Sequence, residues 1–135
     1  MVDIALEKYD HLKPSKVEFN LPKPNYTSKT LIKLEEDYKY YAFNLIIGED
    51  NLINFKKWKN YEFILNNYSL YVCPRINQNT IPAEFENHKN IHWTRTPIMD
   101  ISSTYIRNCV RNGKNFKPLL PSKVWDFVDE MNFYK

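Results

Sequence analysis

The run Tyr41-Ala42-Phe43-Asn44-Leu45-Ile46-Ile47-Gly48 decides the fold. It is apolar almost throughout, interrupted only by Asn44, and it stops at a glycine. A strand with one face in water alternates apolar and polar residues, whereas one apolar on both faces is covered on both, as central strands of parallel sheets are. Two shorter runs read the same way: Ser69-Leu70-Tyr71-Val72-Cys73, closed by Pro74, and Ile91-His92-Trp93-Thr94. Between them the spacing turns helical, with Leu52, Phe55 and Trp58 along one stripe from Asp50 to Tyr61, and a short helix from Tyr61 to Asn66. A polar loop fills the stretch from Ile76 to about Asn90. Upstream, Val17-Glu18-Phe19-Asn20-Leu21 alternates and reads as a strand closed by Pro22 and Pro24. Helices are expected over residues 2–11 and from about Tyr26 to Tyr38, the latter with Leu31, Leu34 and Tyr38 inward and Thr27 as cap. Downstream, Ser102 or Ser103 caps a helix through Arg111 that Asn112-Gly113 ends. Pro121 opens a last helix with Val124, Phe127, Val128 and Met131 facing inward. Strand–helix–strand alternation at this spacing predicts an α/β parallel sheet with flanking helices, one domain over residues 1–135 without repeats or a long linker.

Composition narrows the function. The chain has 135 residues, 43% hydrophobic and 26% charged, with a net charge of +3. That size and balance suit a folded domain. The positive excess is too small to argue for nucleic acid, and no apolar run reaches the roughly 18–20 residues that span a bilayer. The first residues, Met1-Val2-Asp3-Ile4-Ala5-Leu6-Glu7, lack the basic and apolar regions of a signal peptide. Cys73 and Cys109 are the two cysteines, too few for a disulfide framework, which favours a reducing cytoplasm. Glycine occurs twice, at Gly48 and Gly113, so no Gly-rich phosphate loop can be written. Aromatics make up 16% of the chain, read as a compositional bias and not as a stacking surface.

In open α/β sheets, ligands collect beyond the carboxyl ends of the strands, at helix amino termini. Ile47-Gly48-Glu49-Asp50 falls there: Gly48 admits close approach to the backbone, and Asp50 either accepts hydrogen bonds from a ribose or amine or only caps its helix. Asp100-Ile101-Ser102-Ser103-Thr104-Tyr105-Ile106-Arg107 gathers three hydroxyls at a helix start, with Arg107 one turn along. That combination suits a polyphosphate, through helix-end donors and a bidentate guanidinium, although a plain cap with a solvated arginine uses the same residues. His88 and His92 stand four apart with no carboxylate or thiol placed beside them, so no protein-bound metal is expected. Lys56, Lys57 and Lys59 read as a solvated helix face, and Lys114 and Lys117 follow a helix end.

Ile101-Ser102-Ser103-Thr104-Tyr105-Ile106-Arg107 resembles the ISSTxIR motif of bacterial nicotinate-nucleotide adenylyltransferases. In the same order, Tyr26-Thr27 with Thr30-Leu31 resembles the family's SYTxxTL segment. Ile47-Gly48-Glu49-Asp50 through Phe55 and Trp58-Lys59 resembles IxGxDxxxxFxxWK. Val72-Cys73-Pro74-Arg75 resembles a strand ending in arginine, and Leu120-Pro121-Ser122-Lys123-Val124 to Tyr134 resembles LVPxxVxxYI. Asn25, Lys29 and Ile76-Asn77 depart from the family's usual serine, acidic residue and Pro-Gly. The family's amino-terminal GxFxPxHxGH signature has no counterpart, since the histidines are His11, His88 and His92 and none lies in an HxGH context. The resemblance therefore covers the carboxyl-terminal two-thirds of the enzyme.

The resemblance implies a Rossmann-like nucleotidyltransferase fold lacking its amino-terminal strand–helix portion. It implies adenylyl transfer from ATP, with Mg²⁺, to nicotinate mononucleotide in NAD biosynthesis. By the same resemblance, Tyr26 and Thr27 would hold the nicotinate carboxylate and Trp58 would stack on the pyridine ring. Gly48 and Asp50 would line the nucleotide cleft, with Arg75 adding positive charge. Ser102, Ser103, Thr104 and Arg107 would hold ATP phosphates. Trp58 also fits a core stripe with Leu52 and Phe55. The catalytic residues are unassigned and the isolated chain is expected to be inactive, because the phosphate-polarising histidines are absent. Alternatives are a related adenylyl- or cytidylyltransferase with another acceptor, such as phosphopantetheine or a phosphoalcohol, and a non-catalytic nucleotide-binding or interaction domain. With the amino-terminal strands missing, the strand at Tyr41–Ile47 becomes an open edge. The expectation is self-association through it, or the Val17 strand moving into the gap.

Overall fold

The computed structural model describes residues 1–76, 80–99 and 101–135. Asn77 and Asp100, both quoted above, lie outside the described residues. The chain forms two compact units, Lys16–Asp100 and a second built from Met1–Ser15 with Ile101–Lys135.

The first unit is the α/β body. Three parallel strands, β1 (Asn44–Gly48), β2 (Ser69–Cys73) and β3 (Ile91–Trp93), lie in that order. Their register aligns Leu45, Leu70 and Ile91 in one row and Ile47, Val72 and Trp93 in another. Leu70 and Val72 are sealed, and around them close Leu31, Leu52, Phe55, Ile64, Leu65, Tyr68 and Phe85. Each fully buried aliphatic or aromatic side chain contributes about 1.5–3 kcal/mol by leaving water. Those side chains come from α2 (Thr27–Asp37), α3 (Glu49–Ile53), α4 (Tyr61–Asn67) and α5 (Ala83–Glu86), with Phe55 from the turn after α3 and Tyr68 from the residue that caps the end of α4. Tyr68, 2% exposed, donates its hydroxyl to Glu35 at 2.9 Å and so ties the start of β2 to α2.

Four expectations are corrected here. β1 is not covered on both faces. The row Ile46, Tyr71, His92 looks outward, with Ile46 72% exposed, and β1 is the edge strand. Val17–Asn20 is a 3₁₀ turn and not a strand. Without a neighbouring strand its amides find i→i+3 acceptors instead, and Phe19 is left in solvent. The helix expected from Asp50 to Tyr61 breaks after Ile53 into a 3₁₀ turn, Phe55–Lys57, before Trp58 turns extended. Finally, the loop before β3 contains α5, which inserts Phe85 into the core.

The second unit is helical. α1 (Val2–Leu6), shorter than the expected 2–11, packs Ile4 and Ala5 towards α6 (Ser103–Arg111) and α7 (Ser122–Glu130) around Cys109, Val110, Phe116, Val124 and Val128. Lys123 pairs with Glu7. Gly113 takes φ +63 just past α6, the left-handed turn that closes a helix. Met131, expected inward, is 54% exposed because it lies beyond the end of α7. Among the described residues no helix is long and apolar enough to cross a membrane.

Candidate nucleotide site

The register that pairs Gly48 with Cys73 sets the carboxyl ends of β1 and β2 side by side. From one end the chain enters α3 through Glu49 and Asp50, and from the other it continues through Pro74 to Arg75. The Arg75 guanidinium lies against Asp50, Nε to Oδ1 at 3.7 Å. Its backbone N–H donates to Glu49 Oε2 at 2.8 Å. Gly48 lies beneath this group: a Cβ there would collide with Asp50 Oδ1 and stand 3.2 Å from Arg75 Nε. Three of the expected residues, Gly48, Asp50 and Arg75, thus meet at one spot. The Asp50 carboxylate lies against Arg75 and also accepts from Asn51 Nδ2 at 3.4 Å, and no side-chain cap hydrogen bond forms at the start of α3.

Trp58 serves the core in part. It is half-buried, packed on the apolar cluster with its ring 5.3 Å from that of Phe55. Tyr26 is the residue before α2, and its carbonyl accepts from the amides of Lys29 and Thr30. The amides of Thr27 and Ser28 stand in the first helical turn, where no intrahelical acceptor exists. Ser28 Oγ, in a residue only 1% exposed, has no hydrogen-bond partner among the described residues. Lys29 Nζ sits 5.7 Å from the Tyr26 ring centroid.

In the second unit, Ser102 caps α6, its Oγ accepting from the Tyr105 amide at 3.1 Å. Arg107 donates through Nη2 to Thr104 Oγ1 at 3.1 Å. Ser103 and Thr104 are exposed in the first turn. Exposed hydroxyls, first-turn amides and a guanidinium one turn on make an anion-ready helix start, with the helix dipole favouring negative charge. The histidines face other tasks: His88 Nδ1 accepts from the Asn90 amide, and His92 stacks on Tyr71 at 5.1 Å.

The chain matches the family described as cytidylyltransferase-like over residues 6–109. It is 53% identical to a Flavobacterium psychrophilum protein named "Probable nicotinate-nucleotide adenylyltransferase", across all of this chain and 70% of that one. The chain belongs to the nicotinate-nucleotide adenylyltransferase family. A relative of the same name from Cytophaga hutchinsonii is 40% identical over 99% of this chain and 69% of its own. In fold, the chain resembles a Vibrio parahaemolyticus protein assigned as a nicotinate-nucleotide adenylyltransferase, with a TM-score of 0.70 at 22% identity, covering 98% of this chain and 66% of that one. The adenylyltransferase fold thus accounts for the parallel sheet and its flanking helices.

Two residues of this adenylyltransferase-family chain escaped the sequence reading. Glu49 stands next to Asp50, yet its reach to the Arg75 amide depends on strand register and not on any local pattern. Ser28 reads as an ordinary polar residue of a first helical turn, and only packing shows it buried.

Proposed function

We propose that the chain supplies the acceptor-nucleotide pocket and one side of the ATP-phosphate site for adenylyl transfer to nicotinate mononucleotide. The observation that carries this reading is the strand-end cluster of Gly48, Asp50 and Arg75, where a nucleotide is expected in an open α/β sheet. In the reaction, a phosphate oxygen of the mononucleotide attacks the α-phosphorus of ATP. The new P–O bond forms as the bond from the α-phosphorus to the bridging oxygen breaks, and pyrophosphate leaves with that oxygen. No covalent enzyme intermediate is needed, so catalysis is positioning and neutralisation of phosphate charge. ATP enters as its Mg²⁺ complex, a substrate. Among the described residues no group of three His, Cys, Asp or Glu side chains is gathered to hold a metal.

In this reading the Tyr26–Thr27 turn takes the nicotinate carboxylate, supported by its first-turn amides. Trp58 offers a ring face to the pyridine, and Gly48 and Asp50 line the cleft beside Arg75. Ser102, Ser103, Thr104 and Arg107 take ATP phosphates. Two unpaired cysteines, Cys73 and Cys109, fit a reducing cytoplasm. The open edge of β1, beside exposed Ile46, favours pairing between copies of the chain.

Calorimetric titration tests the site. Arg107→Ala should weaken ATP and pyrophosphate more than the mononucleotide, through loss of a charge-assisted phosphate contact. Trp58→Ala should do the reverse, through loss of stacking. Equal losses for both ligands in both variants would reject the assignment.

A further inference from the structure

Arg75 is held twice, by two adjacent carboxylates that divide the work. Asp50 meets its side chain and Glu49 meets its main chain. The two contacts differ in character. The Asp50–Arg75 pair is a 3.7 Å contact between side chains that are 57% and 45% exposed, and exposed pairs of this kind fix little. The Glu49 contact is a charge-assisted hydrogen bond in which the Arg75 backbone N–H donates to the carboxylate at 2.8 Å. Pro74 has no N–H, so the Arg75 amide is the first donor after the last residue of β2. It is therefore the first point at which the departing chain can be tied down. Asp50 touches the guanidinium through Nε, and the two terminal nitrogens have no partner among the described residues, leaving the bidentate edge for an incoming phosphate.

We propose that Glu49 is a positioning residue: its carboxylate fixes the backbone of Arg75, so that the guanidinium presents its free edge to a nucleotide phosphate at the ends of β1 and β2. This deepens the nucleotide-site reading and rests on it. Glu49 touches no substrate and acts only through Arg75. Two consequences follow from that route. Glutamine, which keeps an oxygen acceptor at the same reach, should replace glutamate, whereas alanine should not. And the effect of losing Glu49 should vanish once Arg75 itself is gone.

The experiment is a double-mutant cycle on the full 135-residue chain, read by calorimetric titration with nicotinate mononucleotide and with ATP. Hydrogen exchange at the Arg75 amide is followed by NMR in parallel. Glu49→Ala should weaken the nucleotide that Arg75→Ala also weakens, by about fivefold or more, and speed Arg75 amide exchange. Glu49→Gln should stay within about twofold of the parent. In an Arg75→Ala background, Glu49→Ala should cost no further affinity. The proposal is overturned by an equal loss in both backgrounds, which would mark a general effect on the fold. It is equally overturned by Gln behaving like Ala, which would mark charge and not hydrogen bonding, or by unchanged affinity and exchange in Glu49→Ala. If the parent chain binds neither nucleotide, the site reading fails by itself, and the exchange data still judge the clamp. Faster exchange in Glu49→Ala alone upholds it, and unchanged exchange rejects it.

Discussion

Ser28 has its hydroxyl sealed in the first turn of α2 without a partner among the described residues, and a buried polar atom left unpaired costs about 1–3 kcal/mol. Alanine at that position removes the penalty and has the higher helix propensity. Ser28→Ala should therefore stabilise the chain by about 0.5–2 kcal/mol, read as a raised urea midpoint at unchanged slope. A lowered midpoint would mean that the hydroxyl is paired after all. At this scale the sequence was a partial guide. The meeting of Gly48 and Asp50 beyond β1 follows from glycine and charge placed after an apolar strand. Arg75 came from the family resemblance, and its approach to them from the pairing of β1 with β2. Glu49 and Ser28 were not legible, because the features that distinguish them, a reach across strand ends and complete burial, are set by register and packing.

Among elements, β2 and β3 were legible because short apolar runs bounded by Pro74 and a polar loop have no competing periodicity. The 3₁₀ turn at Val17–Asn20 was not, because alternation alone does not supply the neighbour that a strand needs. Leu52, Phe55 and Trp58 recur every three residues, a period that 3₁₀ geometry satisfies as well as an α-helix does, and the chain takes it partly that way. α5 hides in the sequence because a single apolar residue, Phe85, anchors it. The link between α2 and β2 rests on Tyr68, whose pKa is pushed up to about 12, first by burial and then by its hydrogen bond to Glu35 and the charge of that carboxylate. The folded chain thus prefers the neutral phenol more strongly than the unfolded chain does. The stabilisation is complete below pH about 10, the ordinary tyrosine value, and drains away as pH rises through about 12. Tyr68→Phe should cost about 1–2 kcal/mol at pH 8. The gap in melting temperature between variant and parent should narrow from pH 9.5 upwards, and a constant gap would sink the argument.

For the molecule as a whole, the proposed self-association rests on the open side of the sheet. Among the described residues β1 has a partner on one side only, and Ile46, Tyr71 and His92 form an outward row across the three strands. An open edge presents a row of unpaired N–H and C=O groups, a template for pairing with another chain. Sedimentation velocity at two loadings a hundredfold apart should show a concentration-dependent rise in mass, suppressed in Ile46→Lys, since charge on an edge strand deters pairing. A monomer at both loadings would remove the edge as a contact. Fold class was legible at this scale. The division of the chain into two units was not, because sequence patterning marks elements and says little about which of them share a core.

The helical unit is drawn from both ends of the chain, Met1–Ser15 and Ile101–Lys135, whereas the sheet unit is one unbroken segment. For a chain emerging from the ribosome this difference becomes an order of events. The sheet unit has all its residues once Asp100 has emerged, and its core can close then. α1 packs with α7, which is translated only after the entire sheet unit. The apolar residues of α1 therefore wait, open to chaperones or neighbouring nascent chains, throughout the synthesis of the sheet unit.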